Sequence, residues 1–222
     1  MNPIGIISMI AVAVAAAISV VPIFTTILIL LSPNRTISAI PVLTGFVMGL
    51  FGITLAFIWG VTVLPSDRFI AKDPVGGVVL LVIGVALVAL AALSGWRSRS
   101  RAATDLPKWL SSIGSAKPRS AALVAISLNL RPKSILLSGS FAVLAHSASL
   151  TIVPTVVALA GYTVIGTSTV ALPVIATLAF PDRAKPVLVA TRNWLVKYQA
   201  WISAPILFLI GAILVVESLA RL

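Results

Sequence analysis

Six apolar runs, at residues 3–31, 38–64, 75–96, 120–147, 150–180 and 202–219, follow one another with polar connections between them. About 20 apolar residues are what an α-helix needs to cross the hydrocarbon of a bilayer. Lipid offers the backbone no hydrogen-bond partner, so each run must close its own ladder as a helix. The chain therefore reads as an all-α membrane protein of six transmembrane helices. Its 222 residues hold those spans and leave no room for a second domain. Charged residues make up 9% of it, against about 25% in soluble domains. The opening Met1-Asn2-Pro3-Ile4-Gly5 lacks a basic leader and its apolar run outlasts a signal peptide, so it is read as the retained first span.

One stretch breaks the pattern. Asn129-Leu130-Arg131-Pro132-Lys133 sets two cations and a proline inside the fourth run. Proline removes a backbone donor and clashes with the carbonyl four residues earlier. Arg and Lys cost roughly 2.5–3.5 kcal/mol each at the centre of a spanning helix on insertion scales. Two readings are open. In one, this is a broken helix whose backbone dipoles and cations meet an anionic group inside the protein. In the other, the break lies near an interface and both cations snorkel to headgroups.

Pro22 interrupts the first run in the same way, and Thr25 and Thr26 are placed to bond the carbonyls it frees. Pro22 and Pro132 lie 110 residues apart, each in the first span of a three-span half. An odd number of spans per half inverts the second against the first. The expected architecture is two inverted three-helix repeats, residues 1–96 and 120–222, with helices one and four broken and facing each other near the midplane. Gly45 and Gly49 in span two, and Gly161 and Gly166 in span five, are candidates for close helix packing.

Residues 97–119 join the halves and carry six cations against Asp105. Counting Lys and Arg in the short loops puts this segment in the cytoplasm and both termini outside. The same bias accounts for the net charge of +11 as lipid orientation rather than nucleic-acid binding. Residues 187–201 mix Arg192, Trp194, Lys197, Tyr198 and Trp201 with Leu188, Leu195 and Val196, which reads either as a short amphipathic helix on the membrane surface before span six or as the frayed beginning of that span.

The chain has no cysteine and one histidine, His146, so thiol chemistry and a histidine-rich metal site are excluded. No acid sits in the middle of a span, and no catalytic constellation can be assembled; no enzyme activity and no cofactor are expected. The cations instead suit an anion. Arg131 and Lys133, with Asn129, Thr25 and Thr26, would bind phosphate, sulfate or carboxylate, Arg in a two-pronged grip and Lys as a mobile point charge. His146, at the end of span four, is either structural or a titrating group.

Pro22-Ile23 with Leu30-Leu31-Ser32-Pro33-Asn34-Arg35, the Gly45/Gly49 helix and Asn129 to Leu137 resemble the LysE-type transporter superfamily. The whole chain is similar to its GAP branch, the actinobacterial sulfolipid- and glycopeptidolipid-addressing proteins, and the Pro181-Asp182-Arg183-Ala184-Lys185-Pro186 turn with Trp194-Leu195 adds to the likeness. The resemblance implies a six-span inner-membrane protein assisting export of cell-envelope glycolipids. It also implies an Asn-Pro-Lys-type motif at Asn129, Pro132 and Lys133, loosened here by Leu130 and Arg131.

Two functions follow. In the first, the chain is a small exporter that rocks its halves around the paired breaks and moves an anionic lipid or other small anionic substrate. In the second, it is a non-transporting partner of lipid-export machinery, docking protein or anionic lipid. A cavity reaching Arg131 would favour the first, and an exposed apolar groove on a solid bundle the second. Membrane lipids and a second copy of the chain, as a homodimer, are further expected partners.

Overall fold

The computed structural model describes residues 3–32, 35–63, 74–100, 118–148 and 150–219. These residues are all-helical, with no strand: α1 (Pro3–Ala17), α2 (Val20–Leu30), α3 (Arg35–Val63), α4 (Pro74–Ser100), α5 (Pro118–Leu128), α6 (Pro132–Ser147), α7 (Ile152–Ala179) and α8 (Pro181–Leu219). Three stretches, Gly5–Leu30, Ile37–Thr62 and Ile152–Ala179, are long and apolar enough to cross a membrane. A fourth is added if Ser120–Leu128 and Pro132–Ser147, bent by 62° at their break, form one span. Gly77–Leu93 and Pro205–Val216 are shorter apolar helices.

Burial is that of a membrane protein. Large apolar side chains face outward, Ile7 at 63%, Trp59 at 71% and Val153 at 72% exposure, while Thr54, Ser138, Ser140 and Ser218 are wholly enclosed. Such hydroxyls survive without water because many donate to the carbonyl one turn earlier, as Thr54 does to Leu50, Ser140 to Leu136 and Thr163 to Leu159.

The core is divided into two layers, and the helix breaks lie at the division. One layer gathers Met9, Val12 and Ala13 of α1, Leu80 and Leu87 of α4, Leu137 and Phe141 of α6, Tyr162 of α7 and Leu207 to Leu214 of α8. The other gathers Phe24 and Ile27 of α2, Val42 and Phe46 of α3, Ala121, Ala125 and Leu128 of α5, Val170 and Val174 of α7, and Leu188 and Leu195 of α8. The chain thus passes from one layer to the other at the α1–α2 break and at the α5–α6 break. Helices α3, α7 and α8 run through both, Leu50 of α3 lying in the first layer.

Without a hydrophobic drive between helices in lipid, close backbone approach does the packing. A Cβ on Gly45 would stand 2.6 Å from the Ala122 carbonyl oxygen, and one on Gly49 would stand 2.7 Å from Asn129 Nδ2, so both glycines seat α5 and the second break against α3. Gly166 faces Leu50 at 2.7 Å. Gly161 differs from expectation: it is exposed, and among the described residues nothing lies within 4 Å of its Cβ position. The tightest reciprocal approach was not anticipated. Gly84 of α4 faces the Gly211 carbonyl at 3.0 Å, and Gly211 of α8 faces the Gly84 carbonyl at 2.8 Å. Ser218 Oγ donates to the Gly77 carbonyl at 2.7 Å. Gly77 precedes Gly84 as Ser218 follows Gly211, so α4 and α8 run antiparallel.

Other boundaries depart from the sequence reading. The surface helix expected at 187–201 and the span expected at 202–219 are one continuous helix, α8, with Pro186 and Pro205 inside it. Its first half is amphipathic, but the apolar face, Ala184, Leu188 and Leu195, is buried. Pro181 begins the helix, where a missing N–H costs nothing. Pro154 and Pro173 likewise leave α7 continuous. Helix α4 extends through Ser100 and α5 starts at Pro118, so the ends of the basic 97–119 segment are helical; its middle, 101–117, lies outside the described residues, as do residues 64–73.

Candidate functional site

Pro22 sits in the first turn of α2, and its missing N–H is the one that would have bonded the Ile18 carbonyl. The ladder opens there: Ile18 and Ser19 are non-helical, with Ser19 extended at φ −113°, ψ 105° and no side-chain cap. The break therefore lies upstream of the proline. Two side chains from the other half close the opening. Lys133 Nζ donates to the Ile18 carbonyl at 3.0 Å, and Thr169 Oγ1 of α7 donates to the Ala17 carbonyl at 2.6 Å. Thr25 does not serve here. Its Oγ1 is buried without a partner, and Thr26 is buried beside it in sequence.

The second break is built differently. After α5 the chain makes a tight turn, with Asn129 N–H bonding the Ile126 carbonyl at 3.0 Å and Leu130 N–H the Ser127 carbonyl at 3.1 Å. Arg131, extended at φ −74°, ψ 150°, precedes Pro132 at the first position of α6. This turn produces the 62° bend, whereas α1 and α2 continue as one span. Asn129 is 1% exposed and acts as a tether: its Nδ2 donates to the carbonyls of Phe46 at 3.3 Å and Ala125 at 3.2 Å. Its Oδ1 has no partner.

The residues read from sequence thus divide. Lys133 reaches the Ile18 carbonyl that Pro22 leaves open; Asn129 faces α3 instead; Arg131, half-buried, holds the position before Pro132 at the start of α6 without a side-chain cap bond. One of the three Lys133 donors is committed to Ile18.

A second polar group lies in the other core layer. Thr54 Oγ1 donates to Ser138 Oγ at 3.1 Å, joining α3 to α6. The Tyr162 phenol of α7 is buried without a hydrogen-bond partner, and its ring stacks on Phe141 with centroids 4.4 Å apart. The described residues contain no group of three His, Cys, Asp or Glu able to hold a metal. His146 is half-buried near the end of α6.

Beside the first break runs a groove of about 510 Å³ between α2, α7 and the start of α8. Ile23, Ile27, Leu172, Ala176, Val187 and Leu188 make its apolar walls; Thr169 and Pro173 lie on the α7 side, and Arg183 and Thr191 on α8. Neither Arg131 nor Lys133 lines it. Sequence reasoning missed this groove and the Thr169 contact. The Ile18 carbonyl, by contrast, could have been named from Pro22 alone, being four residues upstream.

Residues 9–220 match the family described as Sap, sulfolipid-1-addressing protein. No curated protein and no solved structure matches the chain.

Proposed function

The chain belongs to the sulfolipid-1-addressing protein family, and from that membership we propose that it is a small inner-membrane exporter of LysE type, moving an anionic glycolipid or similar amphiphile toward the cell envelope. The observation that carries this reading is the Lys133–Ile18 contact. It joins the broken segments of two halves at the level where the core changes layers. In this reading the spans number six, arranged as two inverted repeats, with α1–α2, α3 and α4 opposed to α5–α6, α7 and α8. The pairing of the breaks and the reciprocal Gly84–Gly211 approach both support that relation. Alternating access would be a rocking of the halves about the contact, with Arg131 and the two spare donors of Lys133 meeting the anionic head. The basic 97–119 segment lies in the cytoplasm and the termini outside.

The test is transport of a labelled anionic lipid by reconstituted protein at equal abundance. Arg131→Gln and Lys133→Gln should each lower it strongly; unchanged transport would reduce both residues to anchors of the fold.

A specific observation favours a second reading. The groove is apolar, open, and free of Arg131 and Lys133, as suits an accessory component that holds lipid for a larger export machine. Purified protein that binds anionic lipid but moves none would support this role over the first.

A further inference from the structure

Resting on the reading that the chain handles an anionic amphiphile, we propose that the groove between α2, α7 and the first half of α8 seats the hydrocarbon chain of an anionic lipid, with its head at Arg183. The walls are graded. Ile27 at 1% and Leu188 at 5% exposure form the floor, whereas Leu172 at 67%, Val187 at 62% and Phe180 at 62% stand at the rim. A chain can therefore enter sideways from the bilayer. The volume of about 510 Å³ lies within the ~300–1,000 Å³ of ordinary small-molecule sites.

Charge selects the occupant. Arg183 is the one charged residue among those lining the groove; its neighbours Asp182 and Lys185 do not line it. An apolar partner helix would cover the same walls but leave the guanidinium without a counter-charge, and a zwitterionic lipid would bring its phosphate together with a cation of its own that offsets the attraction. A phosphate or sulfate head would take it in a bidentate grip. The inner end of the groove is also polar. Pro173 deprives the Thr169 carbonyl of its helical donor, and Thr169 Oγ1 holds the Ala17 carbonyl at the first break. An occupant thus touches the residue that fastens α7 to the broken segment, and so adjoins the Lys133 contact one residue further on.

The experiment is photolabelling of the purified full chain in nanodiscs, using phosphatidylglycerol or phosphatidylcholine with a diazirine on the acyl chain and mapping the labelled peptides. The anionic probe should label α2 around Ile27 and α7 around Leu172 severalfold more than the zwitterionic one, and unlabelled phosphatidylglycerol should compete. Arg183→Gln should abolish the preference while keeping the zwitterionic signal. Leu172→Trp, at the exposed rim, should block labelling by both. Equal labelling by the two probes, labelling spread evenly over the outer surface, or a polypeptide cross-linked in the groove would overturn the assignment. Labelling retained in Lys133→Gln protein that no longer transports keeps this site and the export reading separable.

Discussion

Lys133 Nζ donates to the carbonyl oxygen of Ile18 at 3.0 Å, a contact between residues 115 apart in sequence. The carbonyl is available because Pro22, four residues on, has no N–H to give it. One proline has opened a backbone acceptor in the first half, and the second half supplies a cation from beside its own proline, Pro132. In lipid neither group has water as an alternative, so each satisfies the other.

Removing the cation should therefore expose the cost of the break. Lys133→Met leaves the Ile18 carbonyl buried without a donor and is expected to destabilise the fold by about 1–3 kcal/mol. Thermal unfolding in detergent should show the loss. In a Pro22→Ala background, where residue 22 again offers an N–H to Ile18, the same change should cost less. Strict additivity of the two substitutions would contradict the mutual dependence.

Thr169→Val keeps shape and removes the donor to the Ala17 carbonyl. A loss of about 1 kcal/mol is expected, in keeping with a single buried hydrogen bond. Hydrogen exchange should show it as faster opening at residues 17–19 rather than along α7.

The glycines separate into two kinds. Gly45→Ala would drive a methyl into the Ala122 carbonyl, and Gly84→Ala into the Gly211 backbone; overpacking of this sort costs about 1–3 kcal/mol. Gly161→Ala meets open space and should be neutral or slightly stabilising in unfolding assays.

Asn129→Leu should loosen the second break from α3, since it deletes both bonds of Nδ2 and crowds the space Gly49 leaves. The expected sign is lower stability with altered protease access near residues 128–132. An unperturbed digest would show that Asn129 is not the tether described.

The breaks were legible in the sequence because proline acts through the carbonyl four residues back, a local rule. What filled them was not. Thr25 and Thr26 follow Pro22 closely in sequence, yet Thr169 and Lys133 supply the donors, because helix packing rather than proximity along the chain brings a side chain to the opening. Gly84 and Gly211 carried no local signal for the same reason: each matters only opposite the other. Proline alone does not mark a break. Helix α7 absorbs Pro154 and Pro173, and α8 absorbs Pro186 and Pro205. The Thr177 hydroxyl donates to the Pro173 carbonyl at 2.7 Å, one turn past the Thr169 carbonyl that Pro173 deprives of its donor. The basic stretch of α8 looked like a surface helix because its amphipathic face is real, although protein rather than lipid covers it.

Because the chain contains no cysteine, the meeting of the two breaks can be measured directly in native membranes. Ile18→Cys paired with Lys133→Cys should be joined by a thiol-to-thiol reagent about as long as a lysine side chain. Ile18→Cys paired with Ser147→Cys, at the far end of α6, should not be. Efficient joining of the first pair alone is the result this account predicts; no joining of that pair, with both single thiols reactive, would contradict it.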